Sequence, residues 1–407
     1  MPRINFPALV ALPLLVNLFI PEPSVGQNVH WEHQQLLKDF VSEGACTADL
    51  DGDGAVDLIS GPYWWRGPKF TERVEYREGK AFDPKGYSDH FFSFATDIDG
   101  DGDQDIISVG FPGQQATGYF NPGKPRTETR WPSSQVADQV ANESPALVDI
   151  IQGGLPELVC SRQGQFGYYQ AGDDPTTLWI WHGISSQGVT ANPFGHGMGV
   201  GDVDGDGRLD LLDPTRWWRQ PADPSQQKLW EEERWALQPY GSGGAQILVH
   251  DINGDGLNDI ITSHNAHAYG LSWFEQRRTE QSKPRFLPHL IMGPEPKDNK
   301  SGVSFSQLHA LALADIDRDG FQDIITGKRF WAHGGHDPGG GDAAVLYWFS
   351  GARKGSEQPT YQPYLVHDDS GIGTEVVVCD MNGDGKVDII TSNKRGVTLH
   401  LQSEQKP

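Results

Sequence analysis

Cysteine is almost missing from this chain: three residues in 407. That is too few for the disulfide framework that staples small secreted domains. Basic residues are also scarce. Lys and Arg total 32 against 55 Asp and Glu, a formal net charge of −23. With no basic stripe to neutralise phosphates, nucleic acid is excluded as a partner. The chain has no nucleotide-binding glycine loop, no nucleophile signature and no haem-attachment motif. Beyond residue 20 no apolar run is long enough to span a bilayer.

The one apolar run is N-terminal. Arg3 precedes FPALVALPLLVNLFI, residues 6–20, which Pro13 and Asn17 interrupt, and small residues Ser24 and Gly26 follow. This reads as a secretory signal peptide, residues 1–26, and places the remaining domain, 27–407, outside the cytoplasm, secreted or periplasmic.

What the chain has in excess is acid, and it is patterned. The motif D-x-[DN]-x-D-G-x-x-D starts at Asp49, Asp97, Asp202, Asp251, Asp315 and Asp380, and a degraded copy starts at Asp149. Successive starts lie 48, 52, 53, 49, 64 and 65 residues apart. Repeats of that size with several strand signals each imply a propeller or solenoid. Alternate residues of a tight turn point at a common centre, and hard cations such as Ca²⁺ take six to eight oxygens. The expected calcium ligands are Asp49, Asp51, Asp53 and Asp57; Asp97, Asp99, Asp101 and Asp105; Asp202, Asp204, Asp206 and Asp210. The later loops add Asp251, Asn253, Asp255 and Asp259; Asp315, Asp317, Asp319 and Asp323; Asp380, Asn382, Asp384 and Asp388. These loops hold 22 carboxylates, and six Ca²⁺ would bring the net charge to about −11. The third repeat has Ile151 and Gly153 where acids belong, so no ion is expected there.

The pattern resembles the FG-GAP/VCBS repeat family, known from integrin alpha-subunit propellers and secreted bacterial proteins. The resemblance implies an all-β fold, a seven-bladed β-propeller of four-stranded blades, with calcium in six of them. In each repeat an alternating strand enters the loop and an apolar triplet such as Ile260-Ile261-Thr262 leaves it. A third strand carries paired aromatics such as Trp217-Trp218, read as packing between blades, and a polar outer strand follows. After Asp388 only two strands remain, so the N-terminal stretch HWEHQQLLK, residues 30–38, should complete the last blade and remove an exposed edge. That closure would bring Cys46 and Cys379 near enough to bridge.

Six residues before each loop the chain should reach the axis. The residues there are Glu43, Phe91, Glu143, His196, Ala245, His309 and Thr374. Inner strands ordinarily show small apolar residues at such a level. Glu43, Glu143, His196 and His309 from four blades form a ligand set for Zn²⁺, Mn²⁺ or a related ion. The longest loop on that face, residues 327–343, should cover the funnel. Its His333 or His336 is the candidate general base and Arg329 the candidate oxyanion or carboxylate partner. At fold level this is similar to the propeller of aldos-2-ulose dehydratases and to some polysaccharide lyases. The resemblance implies a carbohydrate-active carbon–oxygen lyase acting on a keto-sugar or acidic glycan. The alternative is a non-catalytic module that binds glycan or protein.

If calcium holds the repeats together, chelation lowers the melting temperature by many degrees, because an ion bound only by the native state stabilises it by mass action. Calcium counting on Asp206→Ala or Asp319→Ala should show about one ion fewer than an expected six. Melting indifferent to chelator contradicts this.

Overall fold

The computed structural model describes residues 29–123, 130–190, 192–224, 229–235, 237, 243–244, 246–280, 283–299, 301–353 and 357–403. The proposed signal peptide and Ala245 lie outside them. The described chain is all-β, with two single-turn 3₁₀ segments at Pro296–Asp298 and Ala332–Gly335. No described helix is long and apolar enough to cross a membrane.

The strands form antiparallel four-stranded units in chain order. Unit one, for example, runs Cys46–Ala48, Asp57–Ser60, Tyr63–Trp65, Arg73–Glu75. Units four, five and six repeat that order with first strands Gly199–Gly201, Ile247–His250 and Leu311–Ala314. Units two and three are fused into one seven-stranded sheet, because the 16-residue strand Ser133–Val148 serves both. Its first half pairs with Gln114–Tyr119 and its second half with Glu157–Arg162. The last sheet holds Val376–Cys379, Asp388–Asn393, Gly396–Ser403 and, on its outer edge, the N-terminal strand His30–Leu37. That pairing starts at His30↔Ser403. The expected exchange of the N-terminal strand is therefore present. No sheet closes on itself among the described residues.

Apolar side chains collect between units and not within one centre. Trp64 and Ile59 of unit one pack with Ile106 of unit two. Trp217 of unit four packs with Ile260 and Phe274 of unit five. Trp348 of unit six packs with Ile389 of unit seven. The last such cluster joins Ile390 and Leu399 of unit seven to Leu58 and Trp65 of unit one. The paired aromatics are core, as their alternation with polar outer strands suggests: Trp64, Trp218, Trp273 and Trp348 are fully buried. The three cysteines are free thiols, and Cys379 Sγ meets Thr47 Oγ1 at 3.9 Å, so closeness of the first and last units does not produce a bridge.

The acidic loops show a division of labour. The first aspartate accepts the N–H of the sixth-position glycine in all six full copies, at 2.7–3.0 Å. Those glycines sit at φ from +80° to +95°, a region costly for a side chain. The ninth aspartate has a structural role that the motif alone does not reveal. Asp323 takes the N–H of Ile316 on one oxygen and of Gly351 on the other, at 2.9 and 2.8 Å. Asp57, Asp105, Asp210, Asp259 and Asp388 do the same in their units. The degraded repeat keeps a weaker version, with Glu157 accepting the N–H of Ile151 on one oxygen and the side-chain amide of Gln170 on the other. An amide then reaches back to the preceding unit: Gln276 donates to Val203 O and Gln402 to Ile316 O, at 2.8 and 2.9 Å.

Removing a strut leaves two buried donors unpaired. Asp323→Ala is expected to lower unfolding free energy in urea by about 2–4 kcal/mol, with chelator present. Asp319→Ala at the exposed tip should stay within about 0.5 kcal/mol under the same conditions. Equal losses would show that the ninth aspartate is not a strut.

Candidate functional site

The residues just before the first strands converge. His309 donates its backbone N–H to Gln307 O, and Thr374 donates its own to Glu43 O at 2.8 Å. Thr374 Oγ1 also hydrogen-bonds Phe91 O. These bonds hold units one, two and seven against each other beneath a cavity of about 460 Å³. One side of the cavity is aromatic, formed by Tyr87, Phe91, Phe111 and Phe194; the other presents Glu143, His196, His267 and His333.

Three of the four expected ligands meet there. His196 Nε2 and His309 Nε2 lie 3.2 Å apart. Glu143 Oε2 is 3.6 Å from each. Metal–nitrogen bonds of about 2.0–2.1 Å place neighbouring ligand atoms of a tetrahedral ion roughly 3.3 Å apart. The third imidazole is His267. The ring centroids of His196, His267 and His309 form a nearly equilateral triangle with sides of 4.8, 4.8 and 5.0 Å. One ligand nitrogen from each lies within 4.8 Å of the others.

Glu43 does not join this set. Arg329, 2% exposed, stands between the two glutamates. Its Nη1 donates to Glu143 Oε2 at 2.7 Å and its Nη2 to Glu43 Oε2 at 3.4 Å. Arg329 is thus a buried counter-charge joining units one, three and six, and not the substrate-facing group expected of it. A guanidinium out of water requires such partners, and both glutamates are committed to it. Burial would raise the Glu143 carboxyl, but Arg329, His196 and His309 outweigh it and hold Glu143 well below the usual range. Burial and the Arg329 charge hold His309 well below the usual imidazole value; burial and His196 lower His267 to about 4. His267 and His309 are therefore neutral at pH 7, the form that ligates metal.

Asp337, from the long loop, organises the second layer. It accepts from His267 Nδ1 at 2.9 Å, from Gln307 Nε2 at 3.0 Å and from His333 Nδ1 at 3.0 Å. The first contact fixes the tautomer that leaves His267 Nε2 to the cluster. The loop does reach over the cavity: the backbone N–H of His333 donates to Tyr87 Oη at 3.3 Å. His333 is exposed and lines the cavity, whereas His336 is exposed and does not line it. Between the two candidates for a base, the geometry retains His333. His267 and Asp337 were the residues that strand-level counting missed. Both sit in loops whose lengths differ between repeats, so no fixed offset from the acidic motif finds them.

Calcium is implied by the repeat resemblance, and the loops fit it. The first, third and fifth acids of loops one, two and four each place one oxygen within 4.8 Å of the others. Asp317 Oδ1 in loop six is buried with no hydrogen-bond donor among the described residues. Arginines compete at two loops: Arg66 pairs with Asp51 at 2.7 Å, and Arg219 pairs with Asp204.

The placement of Arg329 yields a test. Arg329→Leu leaves Glu43 and Glu143 buried without their shared cation and should cost about 3–5 kcal/mol of unfolding free energy. A residue that only met substrate would leave stability unchanged on the same substitution.

No known family profile matches the chain, and no curated protein does. Among solved structures it is similar to an Agrocybe aegerita lectin described for specific recognition of non-reducing terminal N-acetylglucosamine. That likeness has a TM-score of 0.49 at 17% sequence identity and spans 93% of this chain and 99% of the lectin. At that distance it says nothing of what this chain binds.

Proposed function

We propose that this chain is a secreted seven-bladed β-propeller of FG-GAP/VCBS type, stapled by about six Ca²⁺, whose axial cavity carries a Zn²⁺- or Mn²⁺-class ion and performs elimination on a keto-sugar or acidic glycan. The observation that carries the metal reading is the triangle of His196, His267 and His309 with Glu143 Oε2 at 3.6 Å from two of them. Support for ring closure comes from the apolar cluster between units seven and one and from the N-terminal strand on the last sheet.

A bound ion of this class polarises a carbonyl or carboxylate and acidifies the neighbouring C–H. The chain's own groups supply the rest. Tyr87, Phe111 and Phe194 offer faces on which a sugar ring stacks. Asp337 holds His333 Nδ1 and leaves Nε2 to take the proton from carbon. The C–H electron pair becomes the new double bond, and the β-oxygen substituent departs and is protonated by water or by the imidazolium. The aromatic wall equally suits the alternative, a glycan-binding module without turnover.

The test is a panel of keto-sugars and uronate-containing glycans incubated with Zn²⁺- or Mn²⁺-loaded protein, followed by the ultraviolet absorbance of a conjugated double bond. Elimination is expected, and His333→Ala should lower kcat by about 100- to 10,000-fold while keeping the bound metal. Sugar binding without product in the loaded protein overturns the lyase and leaves the binding module.

A further inference from the structure

Three histidines far from the axial cavity make a second cluster that the function above does not use. His33 lies on the N-terminal strand His30–Leu37, and its register partner is His400 on Gly396–Ser403. Directly paired residues of antiparallel strands project on the same face. His367 ends the outer strand Thr360–His367 of unit six and enters the cluster from the neighbouring sheet. The ring centroids are 4.4 Å apart for His33 and His367, 5.1 Å for His33 and His400, and 5.4 Å for His367 and His400. These sides bracket the 4.8–5.0 Å of the axial triangle. Three imidazoles around one tetrahedral ion, with bonds of about 2.0–2.1 Å, place their ring centres roughly 5 Å apart.

The nitrogens are disposed for it. Nδ1 of His33 and Nδ1 of His400 face each other at 2.9 Å. His400 Nε2 lies 3.4 Å from Thr391 Oγ1, so this ring turns Nε2 to its own sheet and Nδ1 to the cluster. A hydrogen bond between the two Nδ1 atoms accounts for that pair but not for the third ring. His367 Nδ1 is buried with no hydrogen-bond partner among the described residues. Asp368, next in the chain to His367, adds a negative charge near His33. His33 is exposed, which gives an ion a path from solvent.

We propose that His33, His367 and His400 bind one Zn²⁺-class ion that clamps the N-terminal strand to units six and seven. The ion would sit where strand exchange joins the two ends of the chain, and three ligands from three separate strands would have to part before the N-terminal strand could leave.

The experiment counts Zn²⁺ per full-length chain by equilibrium dialysis in saturating Ca²⁺, which keeps the acidic loops filled. Wild type is compared with His33→Ala and His367→Ala, surface or half-buried positions that spare buried His400. Each variant is expected to bind one Zn²⁺ fewer than wild type while retaining the axial ion, and to lose most of the Zn²⁺-induced rise in melting temperature. Co²⁺ substitution gives a second readout: the visible absorption of the wild type should fall by the share of one site in each variant. Equal Zn²⁺ counts in wild type and both variants, or a wild type that binds only the axial equivalent, overturn the proposal. A chain lacking the axial ion but losing one equivalent on His33→Ala would sink the axial reading and leave this one standing.

Discussion

The arrangement at the axis depends on one buried guanidinium. Arg329 lies between Glu43 of unit one and Glu143 of unit three, having arrived from unit six. Out of water a guanidinium needs acidic partners, and Arg329 keeps both of its own only when the three units hold their places. The same contact aims Glu143 Oε2 at the imidazoles of His196 and His309. The packing of these units and the geometry of the site are therefore one constraint: a shift that separates Arg329 from Glu143 also opens the cluster.

A second constraint repeats around the molecule. Each acidic loop is built on a carboxylate that ties the loop entry to the third strand of its unit, and amides such as Gln276 and Gln402 carry the tie to the preceding unit. Burial pushes Asp210, Asp259 and Asp323 up to about 7, against the pull of their backbone donors. Neighbouring loop acids add to that cost, and a divalent cation in the loop would reduce it. Glu157, in the repeat where Ile151 and Gly153 replace the third and fifth acids, separates the two roles: a carboxylate contact to the loop entry persists where the ion set is depleted.

Much of the fold was legible in the sequence because repetition multiplies a weak signal. One acidic loop says little, but seven at similar spacing give the unit, its inner strand and the level at which Glu143, His196 and His309 meet. The exchanged N-terminal strand was legible by elimination, since the last repeat lacked an outer strand. Arg329 was misassigned for a physical reason: an arginine in a glycine- and histidine-rich loop looks like a ligand-binding group until two acids from distant repeats are seen to enclose it. Glu43 was misplaced with it, because counting back from the motif gives the level on the axis but not which carboxylate the arginine will claim. His267 comes from a loop whose length is free to vary, and nothing periodic marks it. The second histidine cluster brings His33 to His367 and His400, more than three hundred positions away, and had no motif to signal it.

The central claim is that three imidazoles and one carboxylate at the axis hold a single transition ion. X-ray absorption at the Zn or Co edge, on protein in saturating calcium and carrying one equivalent of ion with His33 and His367 replaced, reads that shell directly. An ion held by His196, His267, His309 and Glu143 gives about three nitrogen scatterers with imidazole multiple scattering and at least one oxygen, at roughly 2.0–2.2 Å. A shell of oxygens alone, as from an ion resting in the acidic loops, would contradict it.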